Sequence, residues 1–106
     1  MNRPEHRRDE RYDVAMGVTL TARKLLFRGK TVNLSLGGFR VRLDSGEMPR
    51  ALLEVHASLV FPTGGRTEGT AKVVWVTGSD VGLSFSGPLN PRVLAFTQLE
   101  ARRTGR

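Results

Sequence analysis

Cysteine is absent from the 106 residues, which removes disulfides and thiolate metal sites and suits a reducing compartment, so a cytoplasmic address is expected. Long hydrophobic runs are missing as well: the longest, Val73 to Val76 and Val93 to Phe96, are four residues each, against the roughly 20 that cross a bilayer. The first residues, Met-Asn-Arg-Pro-Glu-His-Arg-Arg, hold no apolar signal core. A soluble protein without a membrane partner is expected. Catalytic patterns are also lacking. There is no Cys–His pair, no traceable Ser–His–Asp arrangement, no GxGxxG or Walker loop, and no His/Asp/Glu cluster at metal-ligand spacing. No enzyme, metal site or cofactor is therefore expected. His56, between Val55 and Ala57, should face solvent, and His6 lies beside arginines without a metal-binding neighbour.

What the chain does have is positive charge, a formal +7, which suits an anionic partner. Its distribution narrows the class of partner. Residues 1–12 carry net +1, residues 13–99 net +4 and residues 100–106 net +2, so no segment is the dense basic block of a protein held to long nucleic acid by counterion release. A small anionic ligand is favoured. The alternative is a small β-barrel that binds RNA or single-stranded DNA with aromatic stacking platforms. Against it, most of the seven aromatics fall on apolar phases and read as core, Trp75, Phe39, Phe61 and Phe85 among them.

The dominant hydrophobic period is two. Val14, Met16, Val18 and Leu20 alternate with mostly polar or small residues, and Phe39, Val41 and Leu43 alternate with Arg40 and Arg42, which should face outward. Further strands are predicted around Leu25 to Leu34, at Val55 to Phe61, at Ala71-Val73-Trp75 and at Val81-Leu83-Phe85. Turn signals accompany them at Arg28-Gly29-Lys30, Gly37-Gly38, Asp44-Ser45-Gly46, Thr63-Gly64-Gly65 and Thr77 to Asp80. Short strands with glycine-rich turns predict an all-β antiparallel barrel or sandwich. The period then changes. Asn90 is a good N-cap, Pro91 suits the first helical position, and Val93, Phe96 and Leu99 recur at helical spacing before Arg102 and Arg103. A C-terminal α-helix is expected, plugging one opening of the barrel or packing along its wall.

Two short stretches stand out. Residues 7–12, RRDERY, hold three arginines in a polar leader with little to bury. Residues 31–39, TVNLSLGGF, place Asn33 and Ser35 two residues apart, on one face of a strand, before a double glycine. An amide and a hydroxyl there offer both donors and acceptors to a ligand, and glycine opens the backbone N–H groups to it. The same side chains could instead satisfy the turn backbone. Asn-Leu-Ser is also a glycosylation sequon, a reading that needs a secretory signal.

Together, Arg7-x-x-x-Arg11 followed by Asn33-x-Ser35-x-x-Gly38 resembles the PilZ domain family, whose signature is RxxxR and then [D/N]xSxxG. Arg3-x-x-x-Arg7 also fits the first motif. Arg7/Arg11 is preferred because Arg8 then supplies the neighbouring arginine often seen in the family and Arg11 leads into the first strand. The resemblance extends to the late strand Gly82 to Phe85 after a Trp-bearing strand and to a closing helix. It implies a six-stranded antiparallel β-barrel with a C-terminal α-helix: a flexible arm at 1–12, a barrel at 13–87, and a helix and basic tail at 88–106. It also implies binding of cyclic di-GMP, a bacterial second messenger with two phosphodiesters and two guanines. Guanidinium forks suit phosphate and the guanine O6/N7 edge alike, so Arg7, Arg8 and Arg11 are the matching residue type. Asn33, where many members have Asp, would face a guanine edge, Ser35 would bond guanine or phosphate, and Gly37 and Gly38 would keep the floor open. Arg40 and Arg42 are auxiliary candidates. His6 holds a position that in the family influences how many ligand molecules bind. Ligand would order the arm, and with no output domain in the chain the signal would pass to a separate effector protein.

Overall fold

A computed structural model of the chain describes residues 11–44, 47–62 and 64–86, together with Pro91, Val93, Ala95, Phe96 and Leu99. Six strands follow in order: β1 Gly17–Ala22, β2 Leu25–Leu34, β3 Gly38–Leu43, β4 Glu54–Val60, β5 Arg66–Thr77 and β6 Asp80–Phe85. Every neighbouring pair is antiparallel, and the ring β1-β2-β3-β6-β5-β4 closes through β1 and β4 into a barrel.

The two-residue period explains the core. Val18 and Leu20 from β1, Phe39, Val41 and Leu43 from β3, Val55, Ala57 and Leu59 from β4, and Val81 and Leu83 from β6 all point inward and are buried. Phe39 meets Phe85 with ring centroids 5.1 Å apart, a tilted contact within the favourable range. Arg28-Gly29-Lys30 is not a turn. It lies within β2, and the β1–β2 reversal falls at Arg23-Lys24. Gly29 is needed there for another reason: a Cβ would collide with the Arg42 carbonyl oxygen where β2 crosses β3.

Two β-bulges break the period, one in β2 between Thr31 and Asn33 and one in β5 between Val73 and Trp75. Each reverses which side chains face out beyond it. In β2, Phe27, Gly29 and Thr31 face inward, then Leu34, which leaves Asn33 outward. In β5, Ala71 and Val73 face inward, then Val76 packs against the core, and Trp75 turns out with 39% of its surface exposed. The expectation that Trp75 is a core residue is therefore corrected.

Ahead of β1 the chain is already tied down. The Thr31 hydroxyl accepts the Met16 N–H at 2.8 Å and donates to the Val14 carbonyl. Tyr12 exchanges two backbone hydrogen bonds with Leu34, at 2.9 and 3.0 Å. At the other end of the chain, Val93 is fully buried and the Phe96 ring lies 5.1 Å from Phe61. The C-terminal segment thus contributes to the core, although the helix expected there is not delimited among the described residues.

Candidate functional site

The site is built on the outer face of β2, β3, β6 and β5. Cross-strand register puts Asn33 beside Arg40, Arg40 beside Gly82, and Gly82 beside Trp75, so one row of outward positions crosses four strands. Both ends of this row exist because of the bulges described above.

At the β2 end, the Tyr12–Leu34 bridge carries Arg11 to the row, and the Arg11 Nη1 donates to Asn33 Oδ1 at 3.0 Å. The two sequence motifs, 22 residues apart, meet through this bond. It is solvent-exposed, which makes it weak in itself and easily exchanged for a ligand. Arg7 and Arg8 lie outside the described residues, as does His6.

Ser35 and Asn33 do not share a face. Ser35 sits past the end of β2 and is buried. Its hydroxyl donates to the Gly38 carbonyl and accepts the Gly38 N–H, both at 3.2 Å, while the Ser35 N–H donates to the same carbonyl at 2.8 Å. The hydroxyl thus closes the β2–β3 turn. Gly37 is exposed, with open space where a Cβ would stand, and its carbonyl accepts the Phe85 N–H at 2.9 Å. Gly38 is enclosed: a Cβ would strike the Leu83 carbonyl oxygen across β6. Of the two glycines, Gly37 leaves room for a ligand and Gly38 is required by the close approach of β3 and β6.

In the middle of the row, Arg40 and Arg42 converge on one carboxylate. Arg40 Nε donates to Asp80 Oδ2 at 2.9 Å, and Arg42 donates through Nε to Oδ1 at 2.9 Å and through Nη2 to Oδ2 at 3.2 Å. Asp80 is buried, whereas the Arg40 and Arg42 side chains keep 41% and 63% of their surface in solvent. The hydrogen bond from Arg42 is the chief cause that holds the Asp80 carboxyl below its ordinary range; Arg40 adds to it and desolvation opposes. The same bond raises Arg42. The Arg40 guanidinium also lies 5.5 Å from the centre of the Trp75 ring. Beneath that ring Gly82 leaves no side chain, and a Cβ would overlap the indole. Arg40 is thereby held between the Asp80 carboxylate and the Trp75 ring, with part of its side chain in solvent.

Sequence reasoning placed Arg40 and Arg42 outward but missed Asp80 and Trp75 as their partners. A Gly82 paired with a large residue on the neighbouring strand is the one signal that could have exposed the indole shelf. Among the described residues no group of three His, Cys, Asp or Glu could hold a metal ion, and no helix is long and apolar enough to cross a membrane. His56 is exposed and contacts Glu68 at 3.1 Å on β5, away from this row.

A family model described as PilZ domain matches residues 5–100. Comparison with curated proteins gives no match. Among solved structures, the chain is similar to the Bacillus subtilis inhibitor of motility MotI/DgrA, with a TM-score of 0.76 and 20% identity over 89% of this chain and 48% of that one. The chain therefore spans about half the length of that protein. It is also similar to the PilZ domain of CeSA from a cellulose-synthesizing bacterium, with a TM-score of 0.67 and 15% identity over 85% of this chain and 93% of that domain. At these identities the two structures establish the shared barrel.

Proposed function

Since this chain belongs to the PilZ domain family, a family of cyclic di-GMP receptors, we propose that it is itself a receptor for cyclic di-GMP and works as an adaptor rather than an enzyme. The observation that carries the reading is the Arg11–Asn33 hydrogen bond, which brings the end of the arginine motif to the asparagine of the second motif. Arg7, Arg8 and Arg11 clamp the ligand's phosphates and guanine edges. Asn33 exchanges its bond with Arg11 for a guanine edge, and Gly37 gives the ligand access to the backbone. Ser35 and Gly38 act mainly by fixing the turn from which Asn33 and Gly37 are presented. Arg40 and the Trp75 ring extend the surface, one as a phosphate or guanine donor and the other as a stacking plane, while Arg42 and Asp80 hold Arg40 in place.

The arm gains its fixed position when the arginines meet the ligand, and the change in surface is read by a separate effector protein. A closing helix after Asn90 completes the fold in this reading; burial of Val93 and the Phe61–Phe96 contact support it. An exposed tryptophan would also serve a single-stranded nucleic acid, but one aromatic offers one stacking step, whereas such grooves use several in succession.

Isothermal titration of the full chain with cyclic di-GMP tests the proposal. Saturable binding is expected, weakened about tenfold to a hundredfold in Arg7→Ala and in Arg11→Ala, as the loss of charge-assisted bonds of ~1.5–3 kcal/mol requires. Absence of binding in the parent chain, with salt-sensitive retention of oligonucleotides instead, overturns it.

A further inference from the structure

A second surface lies at the rim of the barrel where the β1–β2 reversal meets the chain entering β4. Here a cleft of about 610 Å³ is lined by Arg23, Lys24, Leu25, Arg50, Leu53 and Glu54, a volume within the range of ligand sites. We propose that this cleft docks an acidic segment of a partner protein, one that presents carboxylates around a single aliphatic side chain.

Charge and apolar surface coincide here. Three cations face one carboxylate, and among the described residues Arg23, Lys24 and Arg50 take part in no ion pair. Leu25, the first residue of β2, continues the inward phase of Phe27 at the rim of the barrel and is 48% exposed on the cleft wall. Leu52, beside the cleft, is 71% exposed. Leucines left in water within a ring of cations form an apolar centre with a basic rim, the complement of an acidic amphipathic segment.

The backbone adds an independent observation. Arg23 and Leu52 have φ of 57° and 69°, in the left-handed region that glycine enters freely. Leu52 is the third residue of a turn closed by the Leu53 N–H donating to the Arg50 carbonyl at 3.3 Å, a position where glycine or asparagine is usual. Both turns keep a long side chain where a small residue would sit without strain, and both flank this cleft. Strain of this kind concentrates at functional surfaces.

The shape and charge select the occupant. An anionic lipid surface fits a concave site poorly and is repelled by Glu54. A second copy of the chain would bring another formal +7 to a basic rim. An acidic protein segment meets neither objection. The cleft shares no lining residue with the row of Asn33, Arg40, Gly82 and Trp75, so this inference stands apart from the cyclic di-GMP reading.

Amide NMR spectra of the full chain, titrated with the blocked peptide Ser-Asp-Glu-Leu-Asp-Glu-Ser, test it. Saturable shifts confined to residues 22–26 and 50–54 are expected. Affinity should fall at least tenfold in R23E/R50E and in K24E, and at least threefold when serine replaces the peptide's leucine. Each variant should keep the parent's melting temperature and cyclic di-GMP titration, so that failure here is distinct from failure of the receptor reading. Any of four results overturns the proposal: no saturable shifts, shifts centred on the Arg40–Trp75 face, affinity indifferent to charge reversal, or charge-dependent retention on phosphatidylglycerol vesicles without peptide binding. Concentration-dependent dimerisation that R23E/R50E abolishes would also overturn it, in favour of a second copy.

Discussion

Gly82→Ala is the sharpest probe of the outer row. The added methyl would overlap Cε2 and Nε1 of Trp75 and stand 2.7 Å from Cζ2, so the ring must retreat by roughly 1 Å or more to regain van der Waals distance. The indole is 39% exposed and can swing outward, which puts the cost at the low end of the ~1–3 kcal/mol for overpacking. Losing the Arg40 stack adds about 0.5 kcal/mol or more. A destabilisation of about 1–2 kcal/mol corresponds to a fall in Tm on the order of 5–10 °C for a domain of this size. Because Trp75 is the only tryptophan in the chain, its fluorescence reports this movement without interference: the emission maximum should shift to longer wavelength in the variant. Cyclic di-GMP should perturb the emission of the parent chain. If the indole stacks a guanine, affinity should fall about tenfold, since base stacking on an aromatic is worth ~1–3 kcal/mol. An unchanged emission maximum together with unchanged ligand affinity would refute the shelf and its role.

Asn33→Ala removes the partner of an exposed bond and should alter stability by less than about 0.5 kcal/mol while lowering ligand affinity about tenfold by titration calorimetry. Ser35→Ala leaves the buried Gly38 N–H without its acceptor, so a loss of about 1–2 kcal/mol is expected in urea denaturation, larger than that of Asn33→Ala. Asp80→Asn should cost about 1–2 kcal/mol at pH 7, discounted for the exposed guanidiniums. Because the folded Asp80 carboxyl titrates below its unfolded value, its contribution is complete above roughly pH 4 and fades as pH falls through the depressed folded value. Urea midpoints of parent and variant should therefore converge as pH is lowered through the depressed folded value of Asp80.

Where the period of two runs unbroken, the sequence states the fold: Val18 and Leu20, Phe39 to Leu43, and Val55 to Leu59 all face as their alternation requires. It misleads where the period slips or a strand ends. Trp75 follows Ala71 and Val73 in phase and so reads as core, whereas Asn33 and Ser35 read as neighbours on one face because nothing in the sequence marks the end of β2 at Leu34. A bulge has no compositional mark in either strand, and register against the partner strand is what reveals it. Gly29 similarly reads as a turn because a glycine between Arg28 and Lys30 cannot announce that another backbone crosses it. The two family motifs were legible as residue types. Their division of labour was not, since whether Ser35 faces a ligand or its own turn depends on a hydrogen bond three residues away.

Closure of the sheet through β1 and β4 also limits how the protein can speak to others. With each of the six strands paired to a neighbour on both sides along most of its length, little backbone edge remains among the described residues to recruit a peptide as an additional strand. Under the receptor reading, recognition therefore falls mainly to side chains, and a partner that tells the liganded barrel from the empty one has to read those rather than the sheet.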